Sequence, residues 1–282
     1  MSSGMRGRRR TVAVWAALWL AAPAGAQLAV VGWSLHQYDG GPPLAAGFRF
    51  GRGETVFVRF RIQGFARSPD ARIDLACTLE AVDGRGVRLA PGEQKQIQTE
   101  LTPEDKDWLP VVRHEFVIPP LADPGAYRVL ISVEDRLAGR RAKAEIPFEV
   151  RGPSVEPSDT LVARNFRFLK GEDGPLVEGR PIYARGEMLW ARFEITGYRI
   201  GEGNRIEVEY GLSVLGPTGK EIYSEPQAAL EKSTPFYPHR YLPGLLNLNL
   251  EKAQPGDYTL VLKIRDRVGG QECESSHPFQ VR

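Results

Sequence analysis

The chain is poor in cysteine: only two of its 282 residues are Cys, at positions 77 and 273. Cys77 belongs to an alternating apolar run, which indicates a small buried hydrophobe, whereas Cys273 lies in a polar segment. A bridge between them would have to join two different repeats of the chain, so we expect two free thiols. Stability must therefore come from apolar cores and not from disulfides.

Histidine is also scarce, and its four copies are far apart in the sequence: His36, His114, His239 and His277. None has a second His, a Cys or a carboxylate at the spacing of a metal site, so we expect surface or edge histidines and no metal. The chain contains no Gly-x-Ser-x-Gly, no His-Glu-x-x-His and no phosphate-binding loop. We therefore predict a protein that is not an enzyme and that needs no cofactor.

An excess of one charge is absent, since 37 Lys and Arg stand against 35 Asp and Glu, a net charge of +2. Residues 1–26 contain four of the arginines and no acid, so residues 27–282 carry +2 minus 4, or −2. Binding to nucleic acid depends on a cationic surface that neutralises phosphates. We therefore predict no nucleic-acid partner.

A short apolar run lies near the N-terminus, from Val12 to Ala22. Four arginines precede it and Ala24-Gly25-Ala26 follows it, which is the order of an export signal. The run is too short to span a bilayer comfortably. We predict that residues 1–26 are a signal peptide, that no membrane span remains after its removal, and that the protein is periplasmic or extracellular.

The main feature of the remaining chain is an internal repeat. The segment PGAYRVLISVEDRLAG from Pro124 returns as PGDYTLVLKIRDRVGG from Pro255, an offset of 131 (255 minus 124). After each Pro-Gly turn, apolar residues occupy every second position, which predicts a strand with one buried face. Upstream, GETVFVRFRIQGF from Gly53 matches GEMLWARFEITGY from Gly186 at an offset of 133 (186 minus 53). The matches predict a duplicated β-rich unit.

The repeated Pro-Gly-x-Tyr, the Asp after each strand and the closing Phe-x-Val resemble bacterial extracytoplasmic immunoglobulin-like modules. The resemblance implies an all-β protein of two tandem immunoglobulin-like antiparallel β-sandwich domains, of about seven strands each, after the signal peptide. The repeated Tyr resembles the tyrosine corner of such sandwiches. We place the domains at 27–151 and 160–282, with a Pro- and Ser-rich linker at 152–159. Such modules are usually adhesive, structural or accessory, and no functional residue carries over.

Two local patterns predict structural roles for polar residues. Asp135 and Asp266 occupy equivalent positions and each is followed by Arg, which would repel a calcium ion, so we expect them to bond their own turn backbone. Thr102-Pro103-Glu104-Asp105 predicts a short helix start, and Ser233-Thr234-Pro235 is a weaker candidate for the same structure.

The candidate binding residues are outward-facing aromatic and arginine side chains at matching places in the two repeats, and aromatics of a Pro-rich loop: Phe57, Arg59, Trp190, Arg192, Tyr237 and Tyr241. Aromatic and Arg side chains are enriched at contact surfaces. The alternative is that Arg stems and loops cover these rings within one domain.

The sequence thus predicts an exported, non-catalytic, two-domain binding or structural protein of the cell envelope. Its partner would be another envelope protein or a polymer. The alternative is a carbohydrate-binding or enzyme-accessory module, which rests on Trp190 and on the aromatics of the segment from Tyr237 to Tyr241. A protease inhibitor is a third hypothesis, although no inhibitory loop can be identified.

Overall fold

The structure, a computed structural model, describes residues 27–282, and these are built mainly of β-strands. The predicted signal peptide, residues 1–26, lies outside the described residues. The helical segments in 27–282 are two short 3-10 helices, Pro103–Asp105 and Glu202–Asn204. No helix in this range is long and apolar enough to cross a membrane. The prediction of an all-β protein is confirmed.

The first half of the chain folds into two sheets. Its strands are β1 Ala29–His36, β2 Arg49–Phe50, β3 Thr55–Gln63, β4 Arg72–Val82, β5 Glu93–Glu100, β6 Val111–Val117, β7 Gly125–Asp135 and β8 Arg140–Val150. One sheet has the order β1-β3-β6 and the other the order β2-β8-β7-β4-β5. Neighbours are antiparallel, except that the two-residue strand β2 runs parallel to β8.

The second half repeats this arrangement strand for strand. Its strands are β9 Val162–Leu169, β10 Ile182–Tyr183, β11 Met188–Thr196, β12 Ile206–Leu215, β13 Glu221–Ser233, β14 Tyr241–Asn249, β15 Gly256–Asp266 and β16 Gln271–Val281. The sheet orders are β14-β11-β9 and β10-β16-β15-β12-β13. The repeat in the sequence is therefore a repeat in the structure. Each half has eight strands, because β2 and β10 add a short parallel edge that alternation could not reveal.

The buried faces follow the alternation that the sequence predicts. The inward residues are Val56, Val58, Phe60 and Ile62 in β3, and Leu189, Ala191, Phe193 and Ile195 in β11, and all are at most 1% exposed. With the inward residues of the other strands they form one apolar cluster in each half. Full burial of a side chain of this size contributes roughly 1.5–3 kcal/mol. Residues 151–161 belong to no strand, and the exact domain boundaries stay a prediction.

The two repeated aspartates fasten one sheet to the other. Oδ1 of Asp135 accepts hydrogen bonds from the turn amides of Leu137 and Ala138, both at 3.2 Å, as the sequence predicts. Its Oδ2 accepts a further bond of 2.8 Å from the amide of Ala66, in the loop after β3. Asp266 makes the equivalent bonds, so the carboxylate of each half joins its β-turn to a loop of the facing sheet.

Two local predictions have different outcomes. The helix start at Thr102 is confirmed: its amide and hydroxyl both donate to Oδ2 of Asp105 at 2.8 Å, at the start of a 3-10 helix. The weaker prediction at Ser233-Thr234-Pro235 is wrong, because Ser233 is the last residue of strand β13 and no helix follows.

Candidate functional site

Phe57 and Arg59 lie half-buried on the outer face of the sheet β1-β3-β6. They point outward because their neighbours Val56 and Val58 point into the core. Phe57 is opposite His36 of β1 and opposite Glu115 of β6. Across the three strands of this sheet, an aromatic ring therefore lies between an imidazole and a carboxylate.

Arg59 forms the next row with Ser34 of β1 and Arg113 of β6. Arg59 and Arg113 are direct cross-strand partners, which brings two cations together on one face. Like charges at such positions are normally destabilising. Among the described residues, no hydrogen bond or ion pair engages either guanidinium group.

Two concavities meet at this pair of arginines. The first has a volume of about 300 Å³ and is lined by His36, Tyr38, Asp39, Phe57, Arg59 and Glu115, among others. The second, of about 470 Å³, lies along the open side of the sandwich and includes Ile97 and Val111. Arg59, Lys95 and Arg113 line both. We call this junction of three cations the basic cleft.

Lys95 holds the edge of the cleft in place. Its ammonium group donates to the carbonyl oxygen of Arg113 on the edge strand β6 and lies 3.1 Å from Oε1 of Glu93. Glu93 also contacts Nδ1 of His114. Burial would raise the pKa of Glu93, but hydrogen bonds from Lys95 and His114 outweigh it and hold that pKa below its ordinary value. Glu93 is thus engaged, and it does not neutralise the two arginines.

On the equivalent face of the second half, the arginine has partners that compensate its charge. Arg192, the counterpart of Arg59, donates to the carbonyl oxygen of Glu172 at 2.8 Å and lies 3.4 Å from Oδ1 of Asp173. Its cross-strand neighbour on β14 is Leu245, and its neighbour on β9 is Arg167, which is itself paired with Glu194 at 3.3 Å. Trp190, the counterpart of Phe57, is half-buried between β9 and β14. The two halves share a fold and differ at this face.

The structure places Tyr237 and Tyr241 away from both faces, in a contact between the halves. Tyr237 is 3% exposed and packs into the core of the first half, and Tyr241 is 7% exposed. The Tyr241 hydroxyl accepts a 2.7 Å hydrogen bond from Nη1 of Arg52, whose Nη2 donates to the carbonyl oxygen of Pro153. Both rings are therefore covered. The alternative interpretation expected covering within one domain, whereas here residues of the other half of the chain cover them.

Arg240 forms the ionic centre of this contact. It lies 3.1 Å from Oδ2 of Asp83 and 3.2 Å from Oδ2 of Asp123, both in the first half. Burial would raise the pKa of Asp83, but hydrogen bonds from the amide of Val87 and from Tyr237 and Arg240 hold it below its ordinary value. We call the contact between the two halves the joint; its residues are Arg52, Asp83, Asp123, Tyr237, Arg240 and Tyr241.

No family model matches this chain. No curated protein matches it either. Among solved structures, the C-terminal domain of the AgI/II polypeptide BspA from Streptococcus agalactiae aligns at 10% identity over 90% of this chain and 99% of that chain, with a TM-score of 0.29. An alkylpurine DNA glycosylase, AlkC, from Pseudomonas fluorescens, aligns at 18% identity over 45% and 31% of the two chains, also with a TM-score of 0.29. At these scores neither similarity supports a functional argument.

A serine and a histidine beside the first cavity have the arrangement of a base and its nucleophile. Nδ1 of His36 lies 2.7 Å from the carbonyl oxygen of Gly41 and must donate to it, so Nε2 accepts from Oγ of Ser34 at 2.8 Å. The same spacing recurs at Ser275 and His277, also two residues apart on one strand. Residues i and i+2 of a strand share a face, so strand geometry alone explains both pairs.

Within residues 27–282, no group of three or more His, Cys, Asp or Glu side chains is arranged so that it could hold a metal ion. Both cysteines are free thiols, and Cys77 is buried as predicted. Burial raises the pKa of the Cys77 thiol to about 11. This thiol is therefore not a nucleophile at neutral pH.

Sequence reasoning identified Phe57 and Arg59 but missed Lys95, Arg113 and Tyr38. The alternation of polar and apolar residues from Val111 to Val117 could have placed Arg113 on an outer face. Its position opposite Arg59 depends on the register of β3 with β6, which the sequence does not specify.

Proposed function

We propose that the protein is an exported, non-catalytic binding protein of the cell envelope, and that the basic cleft of its first half is the contact surface. The observation that carries the proposal is the pair Arg59 and Arg113. These two residues are direct cross-strand partners, and neither guanidinium group has an ion pair among the described residues, while the counterpart Arg192 is engaged. Uncompensated cations beside an aromatic ring suit a negatively charged partner.

We further propose that each half is an immunoglobulin-like sandwich and that the halves are the domains 27–151 and 160–282. A repeated tyrosine supports this. The hydroxyl of Tyr127 donates to the carbonyl oxygen of Asp123 at 2.6 Å, and that of Tyr258 to the carbonyl oxygen of Gln254 at 2.7 Å. Both tyrosines lie near the start of the penultimate strand, as in a tyrosine corner.

Export and location rest on the sequence. The arginines, the short apolar run and the Ala-Gly-Ala of residues 1–26 are the support for a signal peptide, and thus for a periplasmic or extracellular protein. A carbohydrate-binding module is the second candidate. The exposed ring of Tyr38 beside Phe57 favours it, whereas Tyr237 and Tyr241 no longer do because they are covered.

The test is retention of the purified protein by the envelope fraction of its own cells. We expect sedimentation with that fraction at low salt, release as salt rises, and at least tenfold weaker retention of Arg59→Glu. The matched control is Arg192→Glu, which alters the same strand position in the second half. Equal retention of the two variants would refute the basic cleft as the contact surface.

A further inference from the structure

The two concavities of the basic cleft differ in charge. The second is lined by Arg59, Lys95 and Arg113 and by no carboxylate. The first is lined by the same three cations and also by the carboxylates of Asp39, Glu93 and Glu115. A ligand that spans both would therefore meet only cationic side chains as charged groups in the second concavity, and carboxylates and aromatic rings as well as cations in the first.

The rings of the first concavity are accessible. Tyr38 is 60% exposed and Phe57 is half-buried. An aromatic face of this kind packs against the apolar face of a sugar ring, and the neighbouring carboxylates of Asp39 and Glu115 accept hydrogen bonds from hydroxyl groups. A volume of about 300 Å³ suits one ring at the lower end of the range for ligand pockets.

Proceeding from the proposed function, we propose that the ligand is an acidic polysaccharide in which a carboxylate-bearing sugar alternates with a neutral one. The carboxylate would lie between Arg59 and Arg113 in the second concavity, since planar guanidinium groups bind carboxylates in a bidentate manner. The neutral sugar would occupy the first concavity, over Tyr38 and Phe57. A polymer that alternates charged and neutral sugars would thus place its carboxylate in the concavity without acidic residues and its neutral sugar in the concavity that contains carboxylates.

Other polyanions fit this arrangement less well. A nucleic acid or an acidic peptide carries charge on every unit, and the unit in the first concavity would face Asp39 and Glu115. An extended peptide could instead add to the edge strand β6, but Lys95 already donates to the Arg113 carbonyl oxygen at that edge. These partners are therefore outcomes for the test to exclude.

The experiment is calorimetric titration of the purified protein with four probes at two salt concentrations. They are a polymer of glucuronic acid alternating with N-acetylglucosamine, the same polymer with its carboxylates reduced to alcohols, polyglutamate, and duplex DNA. We expect binding of the first probe, at least tenfold weaker binding of the reduced polymer, and weaker binding of polyglutamate and DNA. Arg59→Ala and Arg113→Ala should each weaken the first interaction at least tenfold, and Arg192→Ala should not.

If the reduced polymer binds as tightly as the unreduced one, the carboxylate has no role in binding. If polyglutamate or DNA binds as tightly as the alternating polymer or more tightly, the proposal that the ligand alternates charged and neutral sugars is wrong. If no polysaccharide binds while the envelope fraction still retains the protein through Arg59, the ligand class is wrong and the proposed function stands. If Arg59→Glu is retained like the wild type, the proposed function itself fails. Thermal unfolding of each variant verifies that the fold is intact.

Discussion

The hydroxyl group of Tyr237 donates a 3.0 Å hydrogen bond to Oδ2 of Asp83, which lies 154 positions earlier in the other half of the chain. Both groups are buried. Arg240 reaches the same carboxylate oxygen, so one aspartate receives a phenol and a guanidinium from across the joint. A buried carboxylate with these partners favours one arrangement of the two halves over others.

Replacing Arg240 with Ala should destabilise the protein by about 2–3 kcal/mol. The change leaves the Asp83 side chain, 5% exposed, without its cation. Arg240 itself is 21% exposed, so the cost lies below the upper range for a fully buried pair. Urea unfolding measures the difference. Arg49→Ala is the control, because its pair with Glu149 is exposed and should cost less than about 1 kcal/mol. Equal losses would show that the joint contributes no more than a surface ion pair.

Stability should fall as the pH is lowered from 7 to 5, because burial lowers the pKa of His239 and of His277. The unfolded chain, with histidine pKa values of about 6.5, binds protons at higher pH than the folded chain does, so this stability is fully present above that pH and is lost as the pH falls below it. Thermal melting at both pH values measures the loss. The double variant His239→Gln/His277→Gln should show a smaller dependence. An unchanged dependence would assign the effect to other groups.

The two repeated tyrosines, Tyr127 and Tyr258, should contribute similar amounts to the free energy of unfolding. Tyr127→Phe and Tyr258→Phe each remove a hydroxyl that donates to a carbonyl oxygen four residues upstream, and each should cost about 0.5–1.5 kcal/mol. Tyr223→Phe is the control, since its hydroxyl bonds Glu225 at the surface and should cost less than about 0.5 kcal/mol. Denaturant unfolding compares the three. A negligible cost at Tyr127 and Tyr258 would contradict a structural role for these two hydroxyl groups.

Ser34 should not react as a catalytic nucleophile, although it is hydrogen-bonded to His36. An acyl-transfer site needs preorganised donors for the oxyanion as well as a base, whereas strand geometry alone accounts for this pair. Incubation with a fluorophosphonate probe followed by mass spectrometry tests this, with a serine hydrolase as positive control. Covalent labelling of Ser34 that disappears in His36→Ala would contradict the proposal of a non-catalytic protein.

The sequence predicted those structural features that depend on residues close together in the chain. The inward positions from Val56 to Ile62 follow from period-two alternation, and the bonding of Asp135 to its own turn follows from Asx chemistry. The joint depends on distant residues. Asp83 looks like an ordinary turn residue in the sequence, and its second set of bonds comes from Tyr237 and Arg240 in the other half of the chain.

For the same reason, only part of the basic cleft could be predicted from the sequence. Arg59 and Arg192 occupy matching sequence contexts, so the sequence treats them alike. Their difference arises from the loop near Glu172 that reaches Arg192, and from the register that sets Arg113 or Leu245 opposite. Charge compensation across strands and loops is a tertiary property, which local patterns cannot report.

The most direct measurement is hydrogen–deuterium exchange of the purified protein with and without its solubilised envelope fraction. Contact at the basic cleft predicts that added envelope material slows exchange in residues 93–97 and 111–115. It also predicts unchanged exchange in β14, the counterpart of β6 in the second half. Slower exchange in β14 with no change in 93–97 and 111–115 would contradict the assignment of binding to the first half.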